Sequence, residues 1–240
     1  MATKFEIIDF SIPNAIKFAK VFAAEKYTED LEIVLRNALA DQRRIPSVKI
    51  RGTNPVTIEE YMNKWVRAYL NGYENRPSVR TGNPSATIPD EIVEIISHIR
   101  LPNLSDNEVQ NMSLGHSLFM TVENLIGDIL EEYLSVKLKP NGWYCAWGST
   151  IDAVDFCQRD GTLLQIKNSD NSENSSSSRV RQGTDIKKWH RRKSTAGLFI
   201  WEILVEMTGV LTLSEEDFRS FATDLVRNNP NCIYIPNTPV

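Results

Sequence analysis

Apolar residues recur at helical spacing through the first half of the chain and at strand spacing after it. From Ile12 to Leu39, Ile16, Val21, Phe22, Leu31, Val34, Leu35 and Leu39 stand among charges near the helical period, which predicts helix. Thr57 with Glu60 three residues on has the form of a capping box, opening a helix that carries Tyr61, Trp65, Tyr69 and Leu70. Pro89 leads into a short helix, Asp90 to Ile99. A longer helix is expected from Met112 to Leu138. Its apolar face is Leu118, Val122, Leu125, Ile126, Ile129, Leu130 and Tyr133, and Pro140 and Gly142 end it.

The period then changes. Trp143 to Trp147, Ile151 to Cys157 and Leu163 to Asn168 are short apolar runs separated by turn residues, and Arg159-Asp160-Gly161 reads as a hairpin turn. A helix is expected from Thr184 to Lys193, another behind Ser214, and a short strand from Cys232 to Ile235. The apolar segment Leu198 to Leu213 fits neither period cleanly. Segments 46–56 and 72–88, rich in Pro, Gly, Asn, Arg and Thr, read as loops.

These elements imply an α/β (α+β) chain organised as one domain over 1–240. Residues 1–110 form a mainly helical part and 111–240 carry the strands. With 240 residues, 41% apolar, there is enough material for one sizeable core. No apolar run approaches the roughly 20 residues that span a bilayer, and MATKFEIIDF lacks a signal-peptide layout. Cys145, Cys157 and Cys232 are odd in number, without CxxC spacing, and His98, His116 and His190 are scattered. Free thiols in a reducing cytoplasm fit this better than a disulfide framework or a zinc site.

Charge sharpens the picture. The net charge is −4, yet residues 179–193 hold seven cations (Arg179, Arg181, Lys187, Lys188, Arg191, Arg192, Lys193) against Asp185 alone. A basic patch on an acidic body favours a specific docking face for a polyanion over indiscriminate binding.

The chemistry lies just before that patch. Asp155 stands in the run Ile-Asp-Ala-Val-Asp-Phe, and Gln165-Ile166-Lys167 follows on the next strand. A carboxylate among apolar strand residues is costly unless something pairs with it, and a divalent cation and a lysine are suitable partners. Asp152 is the alternative ligand, but regular alternation puts it on the opposite face. A hard cation such as Mg²⁺ takes oxygen donors, here the Asp155 carboxylate, the Gln165 amide oxygen and the Ile166 carbonyl. Glu123 on the long helix would supply the missing negative charge. Lys167 would lower the pKa of an attacking water or stabilise charge building on a phosphate.

An acid on a helix, an Asp on one strand and a polar-x-Lys on the next together resemble the PD-(D/E)XK nuclease superfamily. The stretch QIKNSDNSENSSSSRVRQGTDIKKWHRR, from Gln165 to Arg192, further resembles SinI-type (AvaII-like) Type II restriction endonucleases. The resemblance implies a restriction-endonuclease-like core, a mixed β-sheet flanked by helices. It also implies Mg²⁺-dependent cleavage of double-stranded DNA at GGWCC (W is A or T) by a homodimer. The setting would be a bacterial cytoplasm that also holds a methyltransferase protecting the same sequence. It assigns Asp155 to the metal and Lys167 to catalysis, and Gln165 departs from the usual Glu or Asp.

For base reading, arginine suits guanine in the major groove, so Arg179 and Arg181 are the candidates. Lys187, Lys188, Arg191 and Arg192 are expected to hold phosphates, and Asn171 and Asn174 to bond bases or phosphates. Two alternatives share the same site: a structure-specific repair nuclease, and a DNA-binding protein whose nuclease site is degenerate at Gln165.

Overall fold

The computed structural model describes residues 7–41, 44–46, 55–83, 90–170 and 183–234. Of the residues singled out above, Asn171, Asn174, Arg179 and Arg181 lie outside them.

The helical reading of Ile12 to Leu39 resolves into two helices, α1 (Ile12–Ala23) and α2 (Glu29–Ala40). Ala24 breaks the run with φ 48°, and Thr28 starts the second helix by accepting from the Leu31 N–H at 3.3 Å. A parallel pair of two-residue strands, β1 (Ile7–Ile8) and β2 (Val56–Thr57), leads into α3 (Ile58–Glu74). The expected capping box is formed: the Glu60 N–H donates to Thr57 Oγ1 at 3.2 Å, and the Thr57 N–H to Glu60 Oε2 at 3.0 Å. Asp90 caps α4 (Glu91–Arg100). The long helix α5 spans Asp106–Leu138 and starts earlier than its apolar pattern, at a second capping box of Ser105 and Glu108.

Five strands follow: β3 (Trp143–Cys145), β4 (Phe156–Gln158), β5 (Leu163–Ser169), β6 (Lys187–Lys193) and β7 (Leu198–Phe199). They pair in chain order, with β5 and β6 parallel and the other neighbours antiparallel. The hairpin turn forms at Gly161, with φ 95° and the Thr162 N–H donating to Asp160 Oδ1 at 2.9 Å. Helices α6 (Trp201–Thr208) and α7 (Glu215–Asn228, capped by Ser214) complete the fold. The result is a mixed sheet flanked by helices, as expected of a restriction-endonuclease-like core.

Three expectations fail. The strand expected over Ile151 to Cys157 begins only at Phe156, behind a turn. Residues 184–193 contain no helix, because Lys187–Lys193 is the strand β6, held between β5 and β7. At the C-terminal end, Pro230–Cys232 is a 3-10 turn, and neither Ile233 nor Tyr234 is in a strand.

The core joins both halves of the chain. Ala15, Leu35, Tyr61 and Trp65 belong to the same buried cluster as Tyr133, Trp143, Phe156 and Trp189. Helix α5 packs on β3 and β5, and α2 on β3 and β4. The Trp65 indole N–H donates to the Thr150 carbonyl at 2.9 Å, and the Asp152 N–H to the Arg44 carbonyl at 2.8 Å. The N-terminal helices therefore brace the loop that runs into β4. Cys145, Cys157 and Cys232 are buried free thiols. No described helix is long and apolar enough to cross a membrane.

Candidate active site

Asp155 lies one residue before β4, at the end of a tight turn over 151–154 in which Ala153 takes φ 59°. Its backbone is held on both sides. The Asp155 N–H donates to the Leu164 carbonyl at 3.0 Å, and its own carbonyl accepts from the Ala146 N–H at 2.8 Å. The side chain turns toward β5, where Asp155 Oδ2 accepts from the Ile166 N–H at 2.7 Å.

That carboxylate opens into a cleft of about 560 Å³ between α5, β5 and β6. Its lining includes Asp155, Ile166, Lys167, Glu131 and Glu123. Glu131 is the acid the sequence reading missed. Burial pushes its pKa up to about 8; the charge of Asp155 adds to the rise, while the Cys145 thiol, donating to Glu131 Oε1 at 3.3 Å, and Lys167 oppose it. Burial also raises Asp155, against the pull of Lys167 and of the Ile166 N–H. Two mutually repelling carboxylates in a shared cleft, with one lysine beside them, are the arrangement a cation relieves.

The other predicted residues separate. Glu123 lines the same cleft but is exposed, eight residues and so roughly 12 Å up the helix from Glu131. Gln165 is 1% exposed and does not line the cleft. It lies one step deeper along the face of β5 that carries Lys167, so its expected place as a cleft ligand is not met. Asp152 is not among the residues that line the cleft, and its N–H is tied to the Arg44 carbonyl.

The basic segment also divides. On β6, Lys187 and Lys188 pair with Leu164 and Gln165, at the end away from the cleft. Arg192 pairs with Ser169 and is exposed at the cleft wall. Arg191 lines the cleft but is 8% exposed. Its guanidinium donates to both oxygens of Glu215 at 2.9 and 3.0 Å and to Asn168 Oδ1 at 3.0 Å, and it lies over the Phe199 and Phe218 rings. A free phosphate-holding Arg191 is thus corrected to a buried ion pair. Trp189 is core: its indole N–H donates to the Ile200 carbonyl at 2.8 Å, and its ring lies 5.0 Å from that of Trp201. In the loop readings, Arg76 pairs with Glu132 and Arg80 with Asp128, at 3.3 and 2.7 Å.

The donors fit a hard divalent cation. Two carboxylates and the Ile166 carbonyl would offer it oxygen donors, and an ion such as Mg²⁺ keeps several waters. Among the described residues no cluster of three His, Cys, Asp or Glu side chains comes together, so the protein would supply only part of the coordination shell.

The family model described as "SinI restriction endonuclease" matches residues 17–228. The chain is 39% identical over 173 residues to the Type II restriction enzyme Eco47I of Escherichia coli, covering 70% of this chain and 73% of that protein. It is 40% identical over 149 residues to the Type II restriction enzyme SinI of Salmonella infantis, covering 60% of this chain and 64% of that protein.

Proposed function

This chain belongs to the SinI restriction endonuclease family, and on that premise we propose that it cleaves both strands of DNA at GGWCC with Mg²⁺ as cofactor. It is a Type II site-specific deoxyribonuclease. The observation that carries the reading is the cleft in which Glu131, Asp155 and Lys167 meet.

Asp155 and Glu131 would hold the metal, with the Ile166 carbonyl as a third oxygen. When bound, Mg²⁺ polarises a phosphoryl oxygen and makes its water a better nucleophile. Lys167 places an ammonium beside the scissile phosphate and stabilises the charge that grows there. The Ile166 N–H and the backbone ladder fix Asp155 so that its carboxylate does not reorganise during the reaction. Glu123, at the cleft mouth, orients water or a second ion. Gln165 supports the floor of the cleft as a neutral residue, and Glu131 supplies the charge that position usually carries.

Arg192 holds a backbone phosphate at the cleft wall, and Lys187 and Lys188 hold phosphates further along the duplex. Arg179 and Arg181 read guanines, and Asn171 and Asn174 bond bases or phosphates. We read residues 1–240 as one nuclease domain, acting as a homodimer in a bacterial cytoplasm alongside a protecting methyltransferase.

The test is incubation with plasmid DNA in Mg²⁺ or EDTA, with the fragment ends sequenced. Discrete Mg²⁺-dependent fragments ending at GGWCC are expected, and Asp155→Ala abolishes them. Ends without a common sequence would instead indicate a structure-specific nuclease, and tight binding without cleavage a degenerate site.

A further inference from the structure

One part of the molecule is hydrophobic yet buries almost nothing. From residue 90 to 124, covering α4, the loop after it and the first half of α5, Val109 alone is buried. Helix α4 has no buried residue, although Ile92, Val93, Ile95, Ile96 and Ile99 make up half of its ten positions. These side chains are 49–72% exposed. Met112 and Phe119 extend the surface onto α5, at 55% and 72% exposed.

A ten-residue helix has little stability of its own, since isolated helices shorter than roughly 12–15 residues are marginal in water. Among the described residues α4 packs chiefly on α5, and His98 Nε2 lies 3.2 Å from Asp106 Oδ1 at the start of that helix. Side chains of this kind, so grouped, need a cover.

We infer that the cover is a second copy of this chain, with α4 pairing antiparallel to the partner's α4 about a two-fold axis near Ile95 and Ile96. Three observations select this occupant. The patch holds seven large apolar side chains, Ile92, Val93, Ile95, Ile96, Ile99, Met112 and Phe119, each 49–72% exposed, enough to form the apolar centre of a standard interface of roughly 800 Å² per partner. The charges on α4 are self-complementary in that orientation: Glu91 and Glu94 lie at its start and His98 and Arg100 at its end. Antiparallel pairing therefore brings acids opposite bases, as an isologous contact requires. The same acids disfavour an anionic membrane. The third rests on the restriction-enzyme reading: a palindrome cut on both strands needs two sites related by a two-fold axis. Helix α5 carries the patch at one end and Glu131 at the other, so the proposed interface would fix the spacing of the two clefts.

The experiment is light scattering on the full chain without DNA. Wild type is expected at twice the 27.3 kDa chain mass, and Ile95→Glu/Ile99→Glu at the chain mass with unchanged tryptophan fluorescence. Since the three native cysteines are buried, Ile95→Cys or Ile96→Cys supplies the exposed thiol, and an added oxidant is expected to cross-link the chains in pairs. A monomeric wild type, a double variant that remains dimeric, or no cross-link at either position overturns the interface. A monomer that still cuts at GGWCC would sink the interface and leave the enzyme reading intact. A dimer lost in the double variant, from a protein that cuts no DNA, would do the reverse.

Discussion

The Ile166 N–H donates to Asp155 Oδ2 at 2.7 Å, so the strand that presents Lys167 also aims the carboxylate beside it. An asparagine at 155 keeps an oxygen to accept that hydrogen bond and loses the charge. Asp155→Asn is expected to lower cleavage by about 10³-fold or more, since the metal site is then short of a ligand. The metal-free fold should be as stable as wild type or about 1 kcal/mol more so, because a buried charge has been removed. Thermal melts with and without Mg²⁺ check both parts: wild type is stabilised by the ion and the variant is not.

Glu131 and Glu123 line the same cleft from one helix, but Glu123 is exposed, whereas Glu131 is partly buried and feels the charge of Asp155. Glu131→Gln should therefore abolish cleavage and the Mg²⁺-induced rise in Tm. Glu123→Gln should cost no more than about tenfold, the scale of an outer contact rather than a ligand. Parallel cleavage time courses decide between them, and equal losses would make Glu123 the helix ligand.

The sequence carried the order and type of most elements, the helix caps at Thr57 and Ser214, and the pairing of Asp155 with Lys167. It hid Glu131 because a helix pattern gives the face of each residue and not which turn lies opposite a given strand. It hid β6 for a more local reason. Trp189 and Arg191 both point into the core, two residues apart as in any half-buried strand, but one of the pair is an arginine. Read as a polar residue, it erases the alternation, and Lys-Lys-Trp-His-Arg-Arg then looks like a solvated helix. Only the partner, Glu215 from α7, makes that arginine a core residue. The apolar run around Asp155 likewise looked like a longer strand, because Ile151 and Val154 are buried from a turn.

Arg191 and its neighbour Arg192 should behave as opposites. Arg191→Ala takes from half-buried Glu215 its most buried cation, leaving it only the exposed Arg219 and the Trp201 indole N–H, and is expected to cost about 2 kcal/mol in urea unfolding. Arg192→Ala should change stability by less than about 0.5 kcal/mol. Its effect should appear in DNA binding, weakening all sequences alike and lowering the slope of log K against log salt by about one. A loss of stability in both variants would mean that Arg192 is structural as well.

The N-terminal helices act on the site through one close backbone approach. A Cβ placed on Gly72 of α3 would lie 2.3 Å from the amide nitrogen of Gly148 and 2.9 Å from the carbonyl carbon of Trp147. Neither neighbour is a side chain that can swing away. Gly148 is itself at φ 72° and pressed against the Ala68 carbonyl, so the loop has no room to retreat. Gly72→Ala must therefore push α3 off the 147–150 loop, which also strains the Trp65 hydrogen bond to Thr150. A loss of about 2–4 kcal/mol is expected, on the scale of an overpacked core. Because that loop leads directly to Asp155, cleavage should fall even at temperatures where the variant remains folded. Wild-type activity in a variant with a lowered Tm would show that the brace serves stability alone.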